Sequence, residues 1–388
     1  MRRIYFDHSA TTPVLPEVVE AMLPCFTQYF GNASEPHLPG REAKKLLEAS
    51  RETVARAIGA HSEEIIFTSG GTESDNLALK GVAEALSKKG NHIITSSIEH
   101  PAIGNTCKYL QRRGFEITYV PVDKYAIVDP DHVAAAITDR TILISIMHAN
   151  NVVGSIQPIA EIGKIARERG IIFHTDAVQS FGTLETDVGE LNVDLMSMSS
   201  HKLHGPKGVG ALYIRKGTKL TPQMQGGEHE RRRRAGTENV PGIVGFAKAV
   251  EIAMAEREEK VEKLEELRKY LVAGVLERIE EVSYNGHPEK RLPGNANFSF
   301  KYIEGESVVL QLDMVGIAVS SGSACASASL EPSHVLLAMG LTAEDAHGSL
   351  RVTMGRSNTK EEVDYFLEVL PEVVGKLRRM SPLYAQAR

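Results

Sequence analysis

Ser199-Ser200-His201-Lys202, running on into Gly205-Pro206-Lys207-Gly208-Val209-Gly210, is the stretch whose reading decides the fold. It ends the β-prone run Val193–Ser199, so a lysine leaves a buried strand and enters a glycine-rich turn. An amine in that position has to be paired, neutral or covalently occupied, because a desolvated ammonium is costly. The chemical reading is a lysine that holds a carbonyl compound as a Schiff base. An exposed loop lysine is the other reading, and glycines beside a lysine do not decide between the two.

Two upstream segments bear on that choice. Ile171-Ile172-Phe173-His174-Thr175-Asp176-Ala177-Val178-Gln179 places Asp176 and Gln179 just past a second buried strand. A carboxylate there can pair with the protonated pyridine nitrogen that pyridoxal phosphate (PLP) needs to act as an electron sink, and Gln179 can donate to the ring's phenolic oxygen. Alternatively, Asp176 caps the next helix. Thr68-Ser69-Gly70-Gly71-Thr72-Glu73-Ser74-Asp75 again runs from strand into helix. Gly70 and Gly71 permit close backbone approach, and the helix start offers N–H groups to a phosphate, with the Thr72 hydroxyl beside them. Thr72 and Asp75 equally fit a capping box, which would make this an ordinary helix start. Neither a GxxxxGK[ST] nor a GxGxxG pattern competes. A phosphate cradle, a partner for a pyridine nitrogen and a lysine, each at the C-terminal end of a strand, are together what a PLP site in a doubly wound sheet requires.

Short β-rich runs alternate with helical stretches along the chain, as in an α/β protein with a mainly parallel sheet. The expected strands are Glu64–Thr68, His92–Ser96, Glu116–Val120, Thr141–Met147, Ile171–Thr175, Asp194–Ser199 and Gly210–Ile214, with helices at Asp75–Lys88, Ile159–Glu168 and from Ile243 onward. Glu256–Tyr270 reads as a long exposed helix laced with charge pairs. It makes a junction between a large domain expected over 16–255 and a smaller α+β domain expected from 1–15 and 256–388, with strands at Asn297–Tyr302 and Ile317–Ser320. The 388 residues, 42% hydrophobic, suffice for more than one core. A formal net charge of -6 argues against a general nucleic-acid or membrane binder. No apolar run approaches the roughly 20 residues of a spanning helix. Cys25, Cys107 and Cys325 are too scattered for a disulfide framework or a zinc knuckle. A cytoplasmic location is the expectation.

These motifs resemble the cysteine desulfurases of the NifS/IscS family (group I), PLP-dependent enzymes of fold type I. The similarity is carried almost end to end by Asp7-His8-Ser9-Ala10-Thr11-Thr12-Pro13, Phe30-Gly31-Asn32, Gly70–Ser74, Glu99-His100, His148–Asn151, Asp176–Gln179, Ser199–Lys202, Arg234–Asn239, Ser321-Gly322-Ser323-Ala324-Cys325 and Leu350-Arg351. The resemblance implies a large domain built on a mainly parallel seven-stranded sheet flanked by helices, with a smaller C-terminal domain. It implies that Gly71, Thr72, Ser199 and His201 hold the cofactor phosphate, that Lys202 anchors the cofactor and that His100 stacks on its ring. Asn32, Asn151 and Arg351 would face L-cysteine, Arg351 as the carboxylate fork, with Asn151 also touching the cofactor. Thr237 would reach the cofactor phosphate of a neighbouring subunit, which implies a homodimer.

By the same resemblance, Lys202 removes the Cα proton, His100 handles protons at the substrate sulfur, and the Cys325 thiolate takes that sulfur as a persulfide, leaving alanine. The persulfide would pass to an iron–sulfur scaffold protein or another sulfur acceptor, in whose complex Cys325 could transiently ligate a cluster. Only small residues flank Cys325, a composition that favours motion. Cys25 and Cys107 read as core thiols. The run Arg231–Arg234 reads as the lining of a phosphate and dimer interface, and no spacing among His148, His174 and His201 supports a resident metal. The rival readings are a selenocysteine lyase or small-molecule aminotransferase of the same fold, and a non-catalytic assembly subunit.

Overall fold

Strands buried on both faces read as near-continuous apolar runs, and a parallel sheet is where such strands belong. The computed structural model, which describes residues 3–321 and 331–386, joins seven strands into one sheet. From edge to edge the order is Ile65–Thr68, Gly210–Ile214, Leu195–Ser199, Ile172–Asp176, Thr141–Ser145, His92–Ser96 and Glu116–Val120. Gly210–Ile214 runs antiparallel to both neighbours, and the remaining adjacent pairs are parallel. The edge strand Glu116–Val120 is the most open, which fits its polar sequence. All the expected strands of this sheet are present, shifted by at most two residues at an end.

Helices cover both faces. Leu38–Arg56 and Val240–Ala255 close one core around Val54, Phe173 and Phe246, and Gly71–Leu86 and Pro101–Gln111 close the other around Leu79, Ile93 and Ile103. The helix expected from Asp75 starts earlier, at Gly71. Gly70 is its N-cap at φ 147°, and no side chain caps it, so the Thr72–Asp75 capping box does not form. Asp75 instead falls on the buried face, in line with Ala78, Leu79 and Val82.

A second sheet is antiparallel, in the order Ser320–Ser321, Ser349–Thr353, Asn295–Phe300, Val282–Asn285. The strand expected at Asn297–Tyr302 lies two residues earlier. The run expected as one strand at Ile317–Ser320 is divided: Ile317–Ala318 pairs with the N-terminal Ile4–Tyr5, and Ser320–Ser321 joins Ser349–Thr353. The charged segment after Glu256 forms the helix Arg257–Arg278, and the expectation of an exposed helix is corrected for one face. Leu264, Leu267, Leu271 and Val275 form a narrow stripe that packs on Phe298, Phe300 and Phe366, together with Ile4 and Phe6. Among the described residues, no helix is long and apolar enough to cross a membrane.

Candidate active site

Six of the seven strands point the same way and share one C-terminal edge, and the segments at the ends of five of them carry most of the candidate residues. Lys202 follows Leu195–Ser199 in a single 3-10 turn, Ser200–Lys202. Its Nζ donates to the carbonyl oxygens of Ser9 and, at 2.8 Å, Ala10. The N-terminal segment is stapled to this turn. Thr12 Oγ1 donates to the His201 carbonyl at 2.9 Å and accepts from the His204 N–H at 2.8 Å, while His201 Nδ1 lies 3.1 Å from Thr11 Oγ1. Burial, with Lys202 and Lys207 nearby, pulls the His201 pKa down to about 4, so its imidazole is neutral at neutral pH and donates or accepts without charge.

Asp176 is the last residue of Ile172–Asp176 and is buried. Its Oδ1 accepts the Val178 N–H at 2.9 Å. Burial pushes its carboxyl above the ordinary range, against the pull of His100 and Lys202 toward the charged form. Gln179 Nε2 donates to the Ser9 carbonyl at 3.0 Å, which ties this wall to the N-terminal segment as well. His100 is the N-cap of Pro101–Gln111. Its Nδ1 accepts the Ala102 N–H at 3.1 Å, which fixes the ring and leaves Nε2 as the proton-bearing nitrogen of the neutral form.

Arg351 arrives from the second sheet, in the middle of Ser349–Thr353, and is 2% exposed. Nη1 donates to the Asn151 carbonyl at 3.0 Å and Nη2 to Asp7 Oδ1 at 2.8 Å, while the buried Nε has no hydrogen-bond partner. Asn151 is held by its neighbour Asn150, whose Oδ1 accepts from Val152 N and Val153 N and whose Nδ2 donates to the Ile98 carbonyl.

Gly71, Thr72, His100, Asn151, Asp176, Gln179, Ser199, His201, Lys202 and Arg351 all line one cavity of about 330 Å³, within the range of small-molecule sites. Two candidates do not. Asn32 is exposed, with its Oδ1 taken by the Ser34 N–H, and Thr237 is exposed beside Ser69, Gly208 and Arg234. Cys325 lies outside the described residues. A larger cavity, about 460 Å³ between His61, Lys216 and Arg231, contains none of the candidates. Sequence reasoning missed Ser9, Ala10 and Asp75, which also line the site. For Asp75 the signal was available: it is a carboxylate placed three and four residues before Ala78 and Leu79 on an apolar helix face.

The remaining groups are inert by their surroundings. Burial raises the Cys25 thiol and pushes the Cys107 thiol up to about 12, so neither is a thiolate at neutral pH. In the arginine run, Arg231 pairs with Glu48, Arg232 with Glu228 and Arg234 with Glu73, while Arg233 donates to the Leu220 carbonyl. No group of His, Cys, Asp or Glu among the described residues could hold a metal ion.

The residues present fit PLP. The helix start leaves no room for a side chain at Gly71, where a Cβ would lie 2.6 Å from Val178 Cγ2, and no side chain caps the first turn, so its N–H groups are open to an anion. A lysine and a buried acid, which the cofactor's two reactive ends need, line the same cavity.

Residues 4–366 match the aminotransferase class-V family, and this chain belongs to that family of PLP-dependent enzymes. Among its relatives, the protein named cysteine desulfurase IscS of Dictyoglomus turgidum is 56% identical over 98% of this chain and 97% of its own length. The cysteine desulfurase IscS of Methanosarcina thermophila is 58% identical over 98% of this chain and 94% of its own. A solved structure described as a NifS-like protein superposes with a TM-score of 0.92 at 41% identity, covering 97% of this chain and 100% of that one.

Proposed function

We propose that the chain is a cysteine desulfurase that converts L-cysteine to L-alanine and transfers the sulfur, as a persulfide on Cys325, to an acceptor for iron–sulfur cluster assembly or another thiolation. The observation that carries the reading is the placement of Lys202, Asp176, His100 and Arg351 around one cavity, in a chain whose full-length relatives bear that name. Gly71, Thr72, Ser199 and His201 would hold the PLP phosphate, Lys202 the aldehyde carbon and Asp176 the pyridine nitrogen, with Gln179 and Asn151 at the ring edge. When bound, PLP supplies the electron sink for the charge left when Cα loses its proton.

The residues divide the work by position. The Arg351 guanidinium receives the substrate carboxylate, using the unpartnered Nε and sharing or displacing Asp7 at Nη2. The Lys202 amine takes the Cα proton, and the carbonyls of Ser9 and Ala10 hold that amine when it is free. His100 moves a proton at the substrate sulfur. The Cys325 thiolate attacks that sulfur; the S–S bond forms, the C–S bond breaks with its electron pair left on Cβ, and protonation of Cβ together with return of a proton to Cα yields alanine. Asn32 would complete the substrate pocket, and Thr237 would serve the site of a second copy, which makes the protein a homodimer. Exposure of both residues in the single chain supports a composite site. The core around Phe298 and Phe366, separate from the two on the large sheet, supports division into a large domain, 16–255, and a small one, 1–15 with 256–388. A cytoplasmic location and an iron–sulfur scaffold partner complete the reading.

The test is Cys325→Ser. It should bind PLP and perturb its spectrum on adding L-cysteine, yet make no alanine; alanine at the wild-type rate would defeat the desulfurase reading. Loss on cysteine with full activity on selenocysteine would favour a lyase.

A further inference from the structure

Asp75 shares a cavity with Asp176 but lacks its partners. It is 1% exposed, its Oδ1 has no hydrogen-bond partner, and the one basic nitrogen in ion-pair range among the described residues is His174 Nε2, at 3.7 Å. That imidazole is already committed. Nδ1 lies 2.9 Å from Ser145 Oγ and Nε2 2.9 Å from Ser197 Oγ, and burial lowers its pKa to about 3, so it brings no positive charge. An ionised Asp75 would therefore be a buried charge without a counter-ion, and two carboxylates in one such site do not both ionise.

The charge falls on the better-served of the two. Asp176 accepts a backbone N–H and faces His100 and Lys202, all of which favour its anion. Asp75 faces Asp176 and Glu99, which oppose its ionisation, and only Ser197 favours it. Glu99 adds no free charge to the group: burial pushes it up to about 8, its Oε1 is held by Ser96 Oγ at 2.5 Å and Met147 N at 3.0 Å, and its Oε2 has no partner.

We propose that Asp75 is a positioning residue of the active site that remains protonated at neutral pH, so that Asp176 alone carries the negative charge of this buried pair. The inference rests on the reading of Asp176 as the partner of the pyridine nitrogen, and it specifies the charge count of that site: one carboxylate for one pyridinium, with no unmatched buried charge once the cofactor is seated.

Infrared spectra of the cofactor-free protein at neutral pH test it, comparing wild type with Asp75→Asn and Asp176→Asn. Subtracting the Asp75→Asn spectrum should reveal one lost neutral-carboxyl C=O stretch that shifts in D₂O; subtracting Asp176→Asn should reveal lost carboxylate bands. Carboxylate bands lost in Asp75→Asn would overturn the proposal. Should Asp75→Asn fail to fold by circular dichroism, Ser197→Ala in the otherwise intact protein serves instead. Removing the Ser197 hydroxyl that faces Asp75 should shift a neutral-carboxyl band, and a shift confined to carboxylate bands overturns the proposal. The Asp176 reading is checked separately, by the nitrogen-15 resonance of labelled PLP bound to wild type. An unprotonated ring nitrogen there would overturn that reading whatever the infrared result.

Discussion

Asp176→Asn removes one charge and little else. Asn Oδ1 can keep the 2.9 Å bond from Val178 N, while the other carboxylate oxygen becomes an NH₂ donor that cannot stabilise a pyridinium. The phosphate cradle at Gly71, the anchor at Lys202 and the neutral His201 are untouched, so the variant should still bind PLP. The loss should fall on turnover. A hydrogen bond to a charged partner is worth about 1.5–3 kcal/mol, which sets the floor. Asp176 is buried, and a contact charge pair at an effective dielectric near 20 is worth about 4 kcal/mol, which sets the upper range. At roughly 1.4 kcal/mol per decade, alanine formation at saturating cysteine should drop between about tenfold and about a thousandfold. The assay is initial-rate alanine production, normalised to bound cofactor. A fully loaded variant within a factor of about two of wild type, far less than the smallest hydrogen-bond term, would refute the pyridinium assignment.

Lys202→Ala should lose the covalent chromophore, and borohydride should trap no cofactor on the chain; a retained covalent adduct would move the anchor elsewhere. Arg351→Lys replaces donors that now reach both Asn151 and Asp7 with a single ammonium, so affinity for L-cysteine should fall about ten- to a hundredfold, with no change for an amine lacking a carboxylate; equal losses for both would make Arg351 structural. His148 is buried and its pKa is lowered from 6.5 to about 4, so the unfolded chain binds a proton there that the folded chain does not. Its contribution is intact above pH 6.5 and is lost as pH falls toward 4, at up to about 1.4 kcal/mol per pH unit. The stability difference between wild type and His148→Gln should follow that slope, and a pH-independent difference in denaturant titrations would contradict it.

The large sheet was legible because its strands are short apolar runs bounded by glycine or polar turns, and lysine, acid and glycines each fell at a strand end. The small sheet was less so. Val282–Asn285 and Ser349–Thr353 are short and mixed in polarity, and the N-terminal Ile4–Tyr5 owes its strand state to a partner more than 300 residues away, Ile317–Ala318. Arg351 came into view only through resemblance, since nothing local distinguishes an arginine bound for another domain's cavity. The Arg257–Arg278 helix hid its buried stripe among charges, and Asp75 imitated a capping residue because its distance from Thr72 satisfies that pattern whether or not the helix begins there.

The account stands on sulfur moving from cysteine to one particular thiol. PLP-loaded wild-type protein should be given sulfur-labelled L-cysteine without reductant or acceptor, with alanine counted and the labelled cysteine located by peptide mass spectrometry. The account predicts one alanine for each labelled sulfur retained, with the label on Cys325 and absent from Cys25 and Cys107, both buried and protonated. Alanine formed in excess of one per chain with Cys325 unlabelled, or label on either buried thiol instead, would contradict it.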